Sequence, residues 1–157
     1  TRRDATRASC GAANPRAALV MHWDHLHRQL RIEGQVVRAS ETTSDAYFAS
    51  RNWQSRLGAW ASEQSQPLAA RADLLTAVAR TALRFALPEP VEEGQPDPGQ
   101  RIPRPPHWGG YHLWAEAVEL WVEGSARIHD RARWTRELAR EGDGFRAGSW
   151  SASRLQP

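Results

Sequence analysis

The spacing of hydrophobic positions changes period several times along this chain. Arg16 to Trp23 (RAALVMHW) is a largely apolar run of the length of one strand, which predicts a short, mostly buried strand. From His27 to Arg38 apolar and polar residues alternate, with Leu30, Ile32 and Val36 on one face and Gln29, Arg31, Glu33 and Gln35 on the other. Successive side chains of a strand point to opposite faces, so this is the pattern of a half-buried sheet. Gly34 in its middle predicts a bulge or bend. At Ser40 the pattern shifts again. Ser40, Thr42, Thr43, Ser44 and Asp45 offer oxygens that can accept the free amides of a first helical turn, so a helix is expected through Ala46-Tyr47-Phe48. Leu57-Gly58-Ala59-Trp60 is a second short apolar segment. Leu68 to Phe85 predicts a longer helix, with Leu74, Leu75, Val78, Leu83 and Phe85 as its apolar stripe.

Between Pro88 and Pro106 lie seven prolines and two glycines, which exclude a regular element. A loop over 88–107 of this length is expected to be either functional or disordered. Beyond it, Trp108-Gly109-Gly110-Tyr111 leads into strands expected near Tyr111–Leu113, Ala117–Val122, Ala126–Trp134 and Phe145–Leu155. Strands, then helices, then strands again favour an α+β fold over βαβ winding. The 157 residues suit a single domain, 1–157.

Composition narrows the chemistry. All 21 basic residues are Arg. Anions must then be met by planar, bidentate guanidinium groups, and Schiff-base chemistry on a lysine is excluded within this chain. The net charge of +3 is mild and the arginines are dispersed, so no nucleic-acid partner is expected. No apolar run approaches the roughly 18–20 residues that span a bilayer, so no membrane partner is expected either. The first residues have no apolar stretch of a signal peptide, and the start at Thr1 suggests a processed or partial chain. A single cysteine, Cys10, cannot form an internal disulfide, which fits a reducing, cytoplasmic setting.

Two sets of residues could carry chemistry. If Arg127-Ile128-His129-Asp130-Arg131 is extended, then Arg127, His129 and Arg131 share one face. Neighbouring cations repel one another, so the set points to an anionic ligand, with a solvated face carrying cross-strand acidic partners as the alternative. Tyr47, Arg51 and Ser55, spaced by four, would share one helical face as a phenol, a guanidinium and a hydroxyl able to clamp a phosphate monoester. An exposed amphipathic face is the alternative there. His22, His25 and His27 look like metal ligands, but no carboxylate or thiol set completes a pattern, and no metal is expected. Gly109-Gly110 is too short for a phosphate loop, and no nucleophile elbow presents a serine.

Val118-Glu119-Leu120-Trp121 followed by Arg127-Ile128-His129-Asp130-Arg131 resembles the C-terminal motif of pyridoxamine/pyridoxine 5'-phosphate oxidases. Asn14-Pro15-Arg16, Arg28-Gln29, Tyr47-Phe48 with Ser50-Arg51, Gly58-Ala59-Trp60, Gln64-Ser65, Trp108-Gly109-Gly110-Tyr111 and Arg154-Leu155-Gln156-Pro157 agree with that family in order. The resemblance implies an FMN-binding split β-barrel with flanking helices, N-terminally incomplete here, working as a homodimer. It implies oxidation of pyridoxamine or pyridoxine 5'-phosphate to pyridoxal 5'-phosphate with dioxygen as acceptor. Carried over by position, Arg7, Gln29, Gln64, Ser65, Trp121 and Arg131 would contact FMN. Tyr47, Arg51 and Ser55 would hold the substrate phosphate, and Arg127 and His129 would act at the substrate ring as the catalytic pair. The chain departs from the family in lacking its earlier strands and every lysine, in Leu120 where an aromatic is usual, and in Asn52 where proline is common. A related flavin oxidase of another heterocycle, such as a phenazine precursor, and a non-catalytic flavin- or pyridoxal phosphate-binding relative stand as alternatives.

Overall fold

The apolar run Arg16–Trp23 and the alternating stretch Arg28–Arg38 form antiparallel strands β1 and β2 in the computed structural model, which describes residues 14–88, 95–99 and 101–157. A single 3-10 turn at Asp24–Leu26 joins them, with His27 in the left-handed region (φ 51°). β3 (Tyr111–Val122) pairs with β2, β4 (Asp130–Thr135) with β3, and β7 (Ser151–Leu155) with β4, all antiparallel. The resulting sheet has the order β1-β2-β3-β4-β7, and β5 (Leu138–Glu141) and β6 (Gly144–Ala147) form a separate hairpin. Among the described residues these strands close no barrel.

The bulge expected at Gly34 is present. Pairing passes from Glu33 opposite Ala117 to Gly34 opposite Ala115, leaving Glu116 as the extra residue. A Cβ on Gly34 would lie 1.9 Å from the carbonyl oxygen of Trp114, so this close approach requires glycine. The Glu116 carboxylate is taken by Arg16 and, at 3.3 Å, by Gln35. Two expected strands, Tyr111–Leu113 and Ala117–Val122, are thus one bulged strand. The expected Ala126–Trp134 strand begins only at Asp130, and Phe145–Leu155 is divided between β6 and β7. One sheet face carries Leu19, Met21, Leu30, Ile32, Val118, Leu120, Ala132 and Trp134. On it Leu19 and Leu120 remain 46% and 44% exposed.

Residues Ala39–Gly110 form a second compact unit, built on helices. α1 (Glu41–Ser50) starts where Ser40 Oγ accepts from the Thr43 amide at 3.1 Å. α2 (Trp53–Ala61) starts where Asn52 Oδ1 accepts from the Ser55 amide at 2.7 Å. α3 covers Arg71–Arg84. Phe48, Trp53, Leu57, Ala82, Leu87 and Ile102 form the buried core, with Trp60, Val78, Phe85 and Trp108 packed on it. The described parts of the proline-rich segment are folded onto this core. The carbonyl of Gln95 accepts from Trp53 Nε1 (3.1 Å) and that of Pro103 from Trp60 Nε1 (2.7 Å). Arg104 binds Asp45 through Nε at 2.6 Å, and also Glu41 and the Trp108 carbonyl. Among the described residues, no helix is long and apolar enough to cross a membrane.

Candidate functional site

Strand register assembles one polar row on the sheet. His22, Gln29, Trp121, Arg131 and Leu155 stand opposite one another across β1, β2, β3, β4 and β7. Opposed side chains on neighbouring strands lie about 5 Å apart. Three residues expected to serve a flavin, Gln29, Trp121 and Arg131, are therefore adjacent although far apart in sequence.

The next row explains how Arg131 is held. Glu119, 6% exposed, accepts from Arg131 Nε and Nη2 on one oxygen (3.0 and 2.7 Å) and from Arg133 Nη1 on the other (3.3 Å). Arg133 also reaches Glu33 at 3.0 Å, and Glu33 pairs with Arg31. Burial pushes the Glu119 carboxyl up. The hydrogen bonds and charges of Arg131, then Arg133, more than reverse this and hold it below the usual carboxylate range. Glu33, against burial and helped by Glu119, holds the Arg133 guanidinium above its ordinary value. The acidic cross-strand partner considered as the alternative thus exists for Arg131. Among the described residues it does not neutralise the patch, because the three guanidiniums of Arg31, Arg131 and Arg133 face the two carboxylates of Glu33 and Glu119. Arg131 also donates through Nη1 to the Gln156 carbonyl at 3.0 Å. A guanidinium has five N–H bonds, and among the described residues three of these are engaged, leaving two for a further acceptor. A surplus positive charge, the Gln29 amide and the Trp121 indole make a donor set suited to a planar, phosphorylated aromatic group.

Arg127, His129 and Arg131 do not share a strand face as expected. Ser125–Arg127 is a 3-10 turn in which Ala126 and Arg127 both take positive φ (53° and 63°), and His129 precedes β4. Alternation cannot place side chains on such a backbone. Trp121 does the gathering instead: its ring lies 4.6 Å from the His129 imidazole and its backbone is paired with Arg131. The His129 Nδ1 accepts from the Gly124 amide at 3.2 Å. Arg127 is exposed.

In the helical unit, Tyr47, Arg51 and Ser55 do not lie on one continuous helix. α1 ends at Ser50, Arg51 is extended (φ −76°, ψ 151°), and Ser55 belongs to the first turn of α2. The cause is Asn52, whose side chain caps a new helix. Trp108 joins two of the three: its ring lies 5.9 Å from that of Tyr47, and the Arg51 guanidinium stacks over it at 5.3 Å. Tyr47 is 64% exposed, and among the described residues no carboxylate neutralises Arg51. Gln64 and Ser65 sit in an exposed turn between α2 and α3, Ser65 with φ 66°. Arg7 lies outside the described residues. His22 and His27 meet Asp24 and Glu123.

Sequence reasoning missed Glu119, Gly124 and Trp108 as parts of these surfaces. The alternation of Glu119 with Trp121 would have placed its carboxylate beside the cations. Trp108 gave only its aromatic character ahead of two glycines.

Two family models match the chain. One, described as pyridoxamine 5'-phosphate oxidase, covers residues 1–85; the other, the pyridoxine 5'-phosphate oxidase C-terminal dimerisation region, covers 108–157. A pyridoxine/pyridoxamine 5'-phosphate oxidase from Cereibacter sphaeroides is 44% identical over 142 residues, which are 90% of this chain and 61% of the relative. One from Anaeromyxobacter dehalogenans is 44% identical over 157 residues, all of this chain and 69% of the relative. The chain thus spans 61% of the length of the first of these relatives. Among solved structures, PhzG from Burkholderia lata 383, in complex with tetrahydrophenazine-1-carboxylic acid, matches with a TM-score of 0.68 and 27% identity over 92% of this chain and 60% of that one. A pyridoxamine 5'-phosphate oxidase-related, FMN-binding protein from Nostoc punctiforme PCC 73102 matches in fold, with a TM-score of 0.61 and 14% identity over 97% of this chain and 68% of that one.

Proposed function

We propose, from the chain's membership of the pyridoxamine 5'-phosphate oxidase family, that it serves the FMN-dependent oxidation of pyridoxamine or pyridoxine 5'-phosphate to pyridoxal 5'-phosphate. The observation that carries this reading is the row Gln29–Trp121–Arg131 with its surplus positive charge. In this reading the sheet belongs to a split β-barrel, and the protein works as a homodimer. The match to a dimerisation region supports the latter, as does the half-exposed apolar sheet face.

Gln29, Trp121 and Arg131 hold FMN, together with Gln64, Ser65 and Arg7. When bound, FMN supplies the two-electron acceptor, with dioxygen as the final oxidant. Arg51 and Tyr47, set on the Trp108 ring, take the substrate phosphate with Ser55. Arg127 and His129 orient the pyridine ring. The protein's contribution is positioning and charge, as expected where a cofactor performs the electron transfer.

Oxidation of another heterocycle is the second reading, favoured by the likeness to PhzG. The unneutralised Arg51 supports a phosphate monoester instead. Titration of the purified chain with FMN, followed by quenching of flavin fluorescence, tests the proposal. Saturable binding that weakens at least tenfold in Arg131→Met is expected. No binding, or binding indifferent to Arg131, overturns it. Turnover of pyridoxine 5'-phosphate against a phenazine precursor separates the two readings, and flavin binding without turnover of either identifies a non-catalytic relative.

A further inference from the structure

We propose that His129 meets its ligand only as a hydrogen-bond donor, through Nε2, and that Gly124 is the residue that fixes it in this state. The identity of the ligand rests on the function proposed above; the state of the imidazole does not.

A neutral imidazole carries one proton, on either nitrogen, and the partner of one nitrogen decides what the other offers. The Gly124 amide lies 3.2 Å from His129 Nδ1. A backbone amide only donates, so Nδ1 must be the bare, accepting nitrogen, and the ring proton belongs to Nε2. The turn supports this contact from several sides. The Ile128 amide donates to the Ser125 carbonyl at 3.0 Å, closing the turn that leads into His129. Ala126 and Arg127 take left-handed conformations that are unfavourable for residues other than glycine, so the surrounding structure has to hold them there. A Cβ on Gly124 would lie 1.8 Å from the Ile128 carbonyl oxygen, so among amino acids only glycine brings its amide to this place. The Trp121 ring, at 4.6 Å and tilted by 44°, packs on the imidazole and restricts its rotation.

The consequence concerns recognition. With Nδ1 committed to Gly124 and Nε2 protonated, the neutral ring has no free lone pair with which to remove a substrate proton. It selects a ligand atom that accepts: an oxygen or a ring nitrogen with a lone pair. His129 is then a ligand-orienting group rather than a general base.

The test is nuclear magnetic resonance on the chain with 15N-labelled histidine rings and backbone, at neutral pH, with His129 assigned from its loss in His129→Asn. A single Nε2–H form, with a scalar coupling across the hydrogen bond from the Gly124 nitrogen to His129 Nδ1, is expected. An Nδ1–H ring, or an exchanging mixture without that coupling, overturns the inference. Binding of pyridoxine 5'-phosphate, measured by equilibrium dialysis, then reads the donor role. Asn at position 129 offers an acceptor where Nδ1 stood and nothing where Nε2 stood. His129→Asn should keep the Gly124 amide protected from exchange yet bind the probe about tenfold more weakly, the loss of one hydrogen bond. Equal binding by both proteins refutes the donor role. Coupling present with binding by neither protein upholds the imidazole state and refutes the functional reading instead.

Discussion

Replacing Glu119 by Gln removes one charge from the centre of the sheet's polar face while nearly conserving shape. The carboxylate is 6% exposed and accepts three N–H bonds, of which the two from Arg131 are the shorter at 3.0 and 2.7 Å. A hydrogen bond to a charged group contributes roughly 1.5–3 kcal/mol, and breaking a fully buried ion pair costs about 3–5 kcal/mol. The two arginine side chains are 29% and 27% exposed, so water relieves part of that loss, and Arg133 keeps Glu33. The substitution should cost about 2–3 kcal/mol at neutral pH, or roughly 4–12 °C in Tm for a chain of this size. The pH dependence has a definite sign. Glu119 is held below its ordinary value, so its contribution is complete above about 4.3, where the unfolded carboxyl ionises, and is lost as pH falls through the folded value. Thermal unfolding followed by circular dichroism at neutral pH and stepwise into acid measures this. The gap between native protein and Glu119→Gln should close as the native carboxyl takes up its proton. An equal Tm at neutral pH, or a gap that stays constant into acid, refutes the reasoning.

Gly34→Ala should destabilise the sheet by about 2–3 kcal/mol, because its Cβ meets the Trp114 carbonyl oxygen at 1.9 Å; an unchanged denaturant midpoint would count against the bulge. Arg104→Met should cost only about 1 kcal/mol, since its partners Glu41 and Asp45 are 72% and 61% exposed. It should, however, speed amide exchange at Trp108, and unaltered exchange there would show that Arg104 does not anchor the segment. If pyridoxine 5'-phosphate is the substrate, Arg51→Ala should raise KM about tenfold or more with kcat largely kept; an unmoved KM removes Arg51 from the phosphate site.

The elements that could be read from sequence are those whose side-chain period is uninterrupted. β1, β2 and the helices starting after Ser40 and within 68–85 emerged close to their observed limits for that reason. β3 reads as two strands in the sequence because the extra residue Glu116 inverts the alternation halfway along it, a cause visible only in the pairing with β2. The β5–β6 hairpin was overlooked although Gly142, at φ 55°, and Gly144 flank a turn that two glycines around Asp143 could have suggested. The face assigned to Arg127, His129 and Arg131 failed for a deeper reason. Ala and Arg seldom take positive φ, so nothing in their identity warns that the backbone turns at 126 and 127. Asn52 likewise separates Tyr47 from Ser55 by capping a second helix, a role that its N-cap preference allowed but did not require.

The row from His22 to Leu155 draws on residues whose separation in the chain exceeds that of most contacts in a small domain. Such distant pairings must pay for closing long loops before they return any favourable free energy, which makes them late and slow events in folding. The helical unit, stitched by nearer neighbours, can gain order earlier. A refolding experiment should accordingly see helical circular dichroism return ahead of any ligand recognition by the sheet, with an interval in which the chain is structured yet chemically blind.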